Sequence, residues 1–87
     1  MAEPRVIRNQ DVAEVVVEVP EGHAHLRAAI RLADGTELVL QEATLANLVR
    51  AYVSLKTHPT LGRVRLVGRR VGDRKPGYAE WQLVEEQ

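Results

Sequence analysis

The chain has 87 residues and carries 12 basic and 12 acidic side chains, so its formal net charge at pH 7 is zero. That length accommodates one small hydrophobic core and no second one. The sequence contains no cysteine, which excludes disulfides, thiolate-ligated zinc and thiol catalysis. No apolar run exceeds three residues, and no apolar segment follows the amino terminus. We therefore expect no membrane span, no secretory signal and a cytoplasmic location.

The chain opens with a polar segment, and its first two strands follow. Residues 1–11 show no period and are predicted to form a flexible N-terminal arm, and residues 12–87 are predicted to form a single domain. Residues 12–19 alternate with the period of two that is typical of a strand, with Val15, Val17 and Val19 on one face. A Pro-Glu-Gly break at 20–22 ends this strand, and a second alternating stretch covers residues 26–32.

The turn after the second strand contains an Asp-Gly pair. A two-residue loop of Asp34 and Gly35 would mix apolar and charged residues on both faces of the hairpin. A three-residue loop that includes Ala33, with Gly35 left-handed in a G1 bulge, keeps the two faces distinct. It produces matched cross-strand pairs: Ile30 with Leu38, Ala28 with Leu40, and Arg31 with Glu37. The sequence therefore predicts the three-residue loop.

Residues 42–57 change to the period of a helix. Their apolar side chains recur every three or four residues and form one stripe, made of Leu45, Leu48, Val49, Tyr52 and Leu55. Glu42 near the start and Lys56 near the end suit the helix dipole, and Pro59 disfavours helical geometry at the residue before it. A helix of this length measures about 24 Å, which is enough to cross a five-stranded sheet.

Two further alternating stretches, at residues 63–71 and 78–85, flank a turn-rich segment at 72–77. The element order is β-β-β-α-β-β, and the predicted fold class is α+β: a single antiparallel five-stranded sheet with one helix packed on one face. A strand order of 4-5-1-2-3 makes every neighbouring pair antiparallel. The predicted core is the apolar set on the covered face: Val15, Val17, Val19, Leu26, Ala28, Ile30, Leu32, Leu38, Leu40, Leu45, Leu48, Tyr52, Leu55, Val64, Leu66, Trp81 and Leu83.

Charge is unevenly distributed along the chain. Segment 1–49 has four basic and eight acidic residues and a net charge of −4. Segment 50–76 has eight basic residues and one acidic residue and a net charge of +7. Segment 77–87 has three glutamates and a net charge of −3. Nucleic-acid binding by the basic last hairpin, residues 69–75, is therefore an alternative function. The candidate phosphate-binding residues are Arg65, Arg69, Arg70, Arg74 and Lys75.

Two observations weigh against that alternative. First, the positions of Arg65 and Arg69 are also consistent with ion pairs across the sheet, with acids such as Glu14, Glu18 and Glu80. In addition, only Tyr78 is predicted to be free to stack on a base, because Trp81 falls at a core position.

The helix-free face of the predicted sheet has an apolar centre. Each strand contributes one apolar residue near its middle, and charged residues of both signs surround them. An apolar centre with a charged rim is typical of a protein interface. The candidate interface residues are Val16, Ala29, Val39, Val67 and Val84. The leading hypothesis is a small non-catalytic protein-interaction module that homodimerises or docks another protein through this face.

Metal binding and catalysis find little support in the sequence. His23 and His25 lie two apart on what is predicted to be an incoming strand, near Glu21, and are weak candidate metal ligands that lack a third partner. The only serine, Ser54, falls within the predicted helix, and no glycine-rich phosphate loop is present. We therefore expect neither an enzyme nor a cofactor.

Overall fold

The computed structural model describes residues 3–86. In chain order the elements are a 3₁₀ turn at Asn9–Asp11, strands β1 (Val12–Glu18), β2 (Arg27–Leu32) and β3 (Glu37–Gln41), helix α1 (Glu42–Thr57), and strands β4 (Leu66–Lys75) and β5 (Tyr78–Glu85). The element order and the α+β class are confirmed. Met1 and Ala2 of the predicted arm, and Gln87 of the predicted domain, lie outside the described residues.

The strands form two antiparallel sheets. One sheet has the order β1-β2-β3, and the other consists of β4 and β5. The prediction of a single five-stranded sheet is therefore not confirmed, since no backbone pairing among residues 3–86 joins the two sheets. The chain divides into two compact units between Glu42 and Ala43, so that the first sheet lies in one unit and the β4–β5 hairpin in the other.

The β2–β3 hairpin has the predicted three-residue loop. Ile30 lies opposite Leu38, Ala28 opposite Leu40 and Arg31 opposite Glu37. The Leu32 backbone N–H donates to the Thr36 carbonyl at 2.8 Å, and the Gly35 N–H donates to the Leu32 carbonyl at 3.0 Å. Gly35 has φ +92°, the left-handed conformation that the G1 bulge requires. The register predicted from the apolar pattern is confirmed.

Helix α1 has the predicted bounds. Glu42 opens its first turn and Lys56 lies in its last turn, each at the end where the helix dipole favours its charge. Beyond Thr57 the His58 N–H still bonds to the Ser54 carbonyl at 3.1 Å, and Pro59 follows. Within residues 3–86 no helix is long and apolar enough to cross a membrane.

The β4–β5 hairpin is longer than predicted at its tip. Irregularities between Arg70 and Gly72 and between Asp73 and Lys75 each place an extra residue in β4, and the ladder continues to Lys75 opposite Tyr78. The predicted turn at 72–77 therefore shrinks to Pro76 and Gly77, with Gly77 at φ +82°. β-Bulges explain the difference, because they let a strand absorb glycine and polar residues without ending its pairing. Strand β5 has the predicted bounds.

The buried core is much smaller than predicted. Among the described residues only Ala28 and Leu32 are buried, at 3% and 2% exposure. Several residues assigned to the core are instead exposed: Val15, Val17, Val19, Leu38, Leu48, Tyr52 and Trp81. The core assignment of these residues is not confirmed, because alternation shows which side chains share a face, whereas burial requires a second layer packed on that face.

Candidate interaction surface

One face of the β1–β2–β3 sheet carries the apolar centre that the sequence predicts. Val16 lies directly opposite Ala29, and Ala29 lies opposite Val39, so the three form one row across the sheet. Val16 is 39% exposed and Val39 54% exposed, and Ala29 is half-buried between them. This row is an exposed strip of aliphatic side chains at the middle of three strands.

Charged residues flank this row on both sides. On one side Glu14, Arg31 and Glu37 are aligned across the strands, and on the other side Glu18, Arg27 and Gln41 are aligned. Arg31 Nη2 donates to Glu14 Oε2 at 2.9 Å, a cross-strand ion pair in which both side chains remain exposed. We call this surface the charged-rim face; it consists of Glu14, Val16, Glu18, Arg27, Ala29, Arg31, Glu37, Val39 and Gln41.

A shallow cleft of about 200 Å³ opens on the charged-rim face. Val16 and Ala29 contribute its apolar part, and its charged lining consists of Glu14, Arg31 and Glu37. These groups offer apolar contact, ion pairing and hydrogen bonding.

The other two predicted interface residues lie in the second sheet. Val67 of β4 is directly opposite Val84 of β5, and both are half-buried. The structure therefore brings the five predicted interface residues together as a row of three and a separate pair. In each group the residues are aligned across neighbouring strands, as the matched positions in the sequence indicate.

Two further apolar surfaces include residues that the sequence assigns to the core and that are exposed. The reverse side of the β1–β2–β3 sheet, here the aliphatic face, consists of the exposed Val15, Val17 and Leu38, the half-buried Ile30 and Leu40, and the buried Ala28. The helix stripe consists of Leu48, Val49, Tyr52 and Val53, all exposed on one side of α1, with Tyr52 at 62%. A chain this short gains most of its stability from burying such surfaces, so each calls for a covering layer.

The basic residues of the second unit are partly neutralised by acids of the same hairpin. Arg65 Nη1 lies 3.2 Å from Glu86 Oε1, and Arg69 also pairs with the Glu86 carboxylate. Arg70 Nη2 lies 2.6 Å from Asp73 Oδ1. Three of the five candidate phosphate-binding residues, Arg65, Arg69 and Arg70, therefore form ion pairs with carboxylates of the second unit.

The tip of the hairpin is basic and aromatic. Lys75 Nζ lies 4.4 Å from the centre of the Tyr78 ring, a cation–π contact. Arg74 is exposed nearby. Trp81 is 65% exposed and lies directly opposite Arg70 in the ladder. The core assignment of Trp81 is not confirmed, and the hairpin therefore exposes two aromatic rings beside basic residues.

The two candidate metal ligands lie in a loop and not on an incoming strand. β1 ends at Glu18 and β2 begins at Arg27, so His23 and His25 are exposed residues of the connection. His25 Nδ1 is 3.6 Å from Glu42 Oε1, and the other oxygen of Glu42 accepts the Leu26 N–H at 2.8 Å. Within residues 3–86 no three His, Cys, Asp or Glu side chains are grouped to hold a metal ion.

A groove in the second unit was not anticipated from the sequence. It encloses about 290 Å³ and is lined by one side of α1 and by the base of the hairpin. Its lining consists of Asn47, Arg50, Ala51, Ser54, Val64, Leu66, Leu83 and Glu85. One pattern in the sequence could have indicated this groove. Small and polar residues recur at helical spacing on the side of α1 away from the helix stripe, at Asn47, Ala51 and Ser54.

Comparison of the chain with protein-family models, with curated proteins and with solved structures finds no match.

Proposed function

We propose that this protein is a small non-catalytic interaction module whose binding surface is the charged-rim face. One observation carries the proposal: Val16, Ala29 and Val39 form an exposed apolar row with ionised residues on both sides. Interfaces have this anatomy, because a desolvated apolar centre supplies the free energy of association while a polar rim supplies specificity. The partner is a second copy of the chain or another protein.

The test is site-specific photo-crosslinking in the cells that naturally make the protein. A photoreactive residue replaces Gln41, at the rim of the charged-rim face, and in a matched control it replaces Val71, which is exposed on β4. We expect a covalent adduct from position 41 and none from position 71, and we expect Val39→Lys to abolish the adduct. Equal yields from the two positions, or no adduct from position 41, would show that this face binds no partner.

The single five-stranded sheet is the second part of the proposal. Among the described residues β1 pairs only with β2, and β4 pairs only with β5, so each has an outer edge with free backbone groups. Exposed strand edges tend to acquire a neighbouring strand, and a two-stranded hairpin alone is marginally stable in water. We propose that β4 joins the edge of β1.

The charge pattern selects one antiparallel register for this pairing. With Val67 opposite Val16, Arg69 falls opposite Glu14 and Arg65 falls opposite Glu18. Opposite charges facing each other across two strands stabilise a pairing, whereas like charges destabilise it. Strand β5 is disfavoured in this position, because with Val84 opposite Val16 the following Glu86 would fall opposite Glu14. The resulting order is 5-4-1-2-3, in place of the predicted 4-5-1-2-3.

The same register unites the predicted interface. Combined with the observed pairs in the two sheets, it produces one apolar row across five strands: Val84, Val67, Val16, Ala29 and Val39. On the reverse side Leu66 falls opposite Val17, which extends the aliphatic face. The helix stripe is the apolar layer that we propose to cover that face, as in the predicted architecture.

A disulfide tests the pairing of β4 with β1, because the chain has no cysteine of its own. Val16→Cys combined with Val67→Cys is expected to form a disulfide, since directly opposite residues fall within the Cα separation of about 4.4–6.8 Å that a disulfide allows. In the control, Val16→Cys is combined with Val84→Cys, one strand further away. A disulfide in the control and none in the test pair would place β5, and not β4, beside β1.

One observation favours nucleic-acid binding as a second candidate function. Trp81 is exposed beside Arg70, and Tyr78 is exposed beside Lys75, so the hairpin presents rings for stacking together with cations for phosphate contact. Binding of labelled single-stranded oligonucleotides, followed by fluorescence anisotropy, should weaken at least about tenfold between about 50 and 200 mM salt.

Substitutions distinguish nucleic-acid binding by the hairpin from non-specific electrostatic attraction to the chain as a whole. We expect Arg74→Glu with Lys75→Glu to abolish binding and Trp81→Ala to weaken it. Arg5→Glu with Arg8→Glu is the matched charge control, since both arginines lie in the other unit, where they pair with Asp34 and Asp11. Equal losses in the hairpin variants and in the control would exclude the hairpin as the binding element.

A further inference from the structure

The charged-rim face has a charge of one sign on each strand. Strand β1 carries Glu14 and Glu18, and β2 carries Arg27 and Arg31. Strand β3 carries Glu37 and the uncharged Gln41. The register aligns the charged positions across the strands, so the face consists of an acidic column, a basic column and a second acidic column. Each column has an apolar residue at its middle.

Two stacked copies of this face are related by a two-fold axis, and the position of that axis decides which columns meet. Stacked sheets lie about 10 Å apart with their strands aligned to within about 30°. A two-fold axis perpendicular to the strands would place each column on itself, with Arg31 facing Arg27. An axis parallel to the strands and over β2 would place Arg31 on Arg31 and Glu14 on Glu37. Both arrangements oppose like charges and are therefore disfavoured.

An axis parallel to the strands and between β2 and β3 would oppose only one acid to one base in each copy, because β3 carries Glu37 and the uncharged Gln41. The favoured arrangement has the axis between β1 and β2, about 2.4 Å from each strand, since neighbouring strands are about 4.8 Å apart. Column β1 of each copy then faces column β2 of the other. Glu14 faces Arg31 of the second copy, Glu18 faces Arg27, and Val16 faces Ala29 at the centre. The surface is thus self-complementary, which is the requirement for an isologous two-fold contact.

We propose that a second copy of this chain occupies the charged-rim face, related by a two-fold axis that runs parallel to the strands between β1 and β2. This inference rests on the proposed function and names its partner. The ion pair between Arg31 and Glu14 within one copy is compatible with it, because a guanidinium has five N–H donors and can bond two carboxylates. The dimer is expected to weaken as salt screens the rim.

Charge-swapped variants test this arrangement. The swap variant inverts every charge of the face, with Glu14→Arg, Glu18→Arg, Arg27→Glu, Arg31→Glu and Glu37→Arg, so that neighbouring strands keep opposite charges and the face remains complementary to itself. Arg65→Glu, Arg69→Glu and Glu86→Arg accompany these changes, because they preserve the proposed pairing of β4 with β1 and the ion pairs within the hairpin. Against the wild type it opposes like charges in all four positions. Native mass spectrometry and sedimentation equilibrium are expected to show dimers of each protein alone. A mixture of the two is expected to contain almost no mixed dimer.

A pair of half-swapped variants provides the reverse experiment. The acidic variant carries Arg27→Glu and Arg31→Glu, and the basic variant carries Glu14→Arg and Glu18→Arg. Each is expected to be monomeric alone, and an equimolar mixture is expected to form a mixed dimer. Circular dichroism shows whether each variant is folded. If a half-swapped variant fails to fold, the mixing experiment with the swap variant still tests the arrangement.

Each contrary result has a separate meaning. A wild-type chain that remains monomeric up to about 100 μM would overturn the proposal that the partner is a second copy. Free mixing of the swap variant with the wild type would overturn the position of the two-fold axis. If the photo-crosslink at position 41 identifies a different protein as the only partner, the proposed function stands and this inference fails.

Discussion

At the level of single residues, the turn between β2 and β3 shows how local chemistry determines a register. The Thr36 N–H donates to Asp34 Oδ1 at 2.9 Å, and Gly35 adopts φ +92°. Arg5 Nη1 lies 2.9 Å from Asp34 Oδ2, and the Ala33 N–H donates to the Asp11 carbonyl at 2.8 Å. These bonds tie part of the N-terminal segment to the turn.

Gly35→Ala is expected to lower the free energy of unfolding by about 1–2 kcal/mol, because an L side chain is strained at this positive φ. Gly62→Ala is the control, since Gly62 has no positive φ and open space around it. Urea denaturation of the two variants measures the difference. Equal stability would mean that the turn adopts another conformation in solution.

Ionisation of Asp34 is expected to make the free energy of unfolding depend on pH in the acidic range. Its hydrogen bonds from the Thr36 N–H and hydroxyl, with a smaller effect of Arg5, lower the pKa of Asp34 below the usual value for aspartate. A carboxyl whose pKa is lower in the folded state contributes stability above its unfolded pKa, and that contribution is lost as the pH falls through its folded pKa.

Asp34→Asn isolates this contribution, because asparagine retains an acceptor for Thr36 and cannot ionise. The variant is expected to lose less stability than the wild type between pH 5 and pH 2, a range that spans the titration of aspartate. Unfolding by urea at a series of pH values is the measurement. Parallel curves for the two proteins would contradict the effect.

At the level of elements, α1 exposes its most apolar side. The groove beside the hairpin is lined by Asn47, Ala51 and Ser54, whereas Leu48 and Tyr52 are exposed. Apolar side chains contribute to stability when they leave water. This inversion favours a covering layer for the helix stripe.

Leu48→Ala is expected to cost about 2–5 kcal/mol of stability if the helix stripe is covered as proposed. Arg50→Ala, on the side of the helix away from Leu48, should change stability by less than about 0.5 kcal/mol. Thermal and urea unfolding measure both variants. A negligible effect of Leu48→Ala would show that the stripe remains in water.

At the level of the whole molecule, exposed apolar surface occurs on both sides of the first sheet, along the helix and on the hairpin. Two buried side chains are a small core for the described part of the chain. Association with a second copy would therefore contribute to folding stability as well as to function.

The melting temperature is expected to rise with protein concentration, since a dimer that forms only from folded chains stabilises them by mass action. The wild type should show this dependence over a range of about 1 to 100 μM, and Val16→Lys, at the centre of the proposed contact, should not. Circular dichroism during heating is a suitable measurement, since Trp81 is already exposed in the folded chain and its emission would report unfolding poorly. A melting temperature independent of concentration in the wild type would argue against an obligate dimer.

Much of the local structure follows from the sequence. The alternation around Ile30 and Leu38 sets the hairpin register, because a slip of one residue would exchange the two faces. The period from Leu45 to Leu55 and the proline after His58 define the helix. The five apolar interface positions are correctly aligned within each sheet. All of these depend on interactions between residues that are close in the chain or joined by one turn.

Other features depend on contacts between distant segments, which local patterns do not encode. Alternation places Val15 and Val16 on opposite faces of β1, but both are valine, so it does not show which face is covered. Trp81 shows the same limit of alternation. The pattern predicts that its side chain is buried, whereas the structure exposes it beside Arg70. The sequence by itself determined the order of the elements, the register of the β2–β3 hairpin and the alternation of charge. Only the tertiary structure decided which strands pair and which side chains are buried, because pairing and burial depend on how segments distant in the chain pack together.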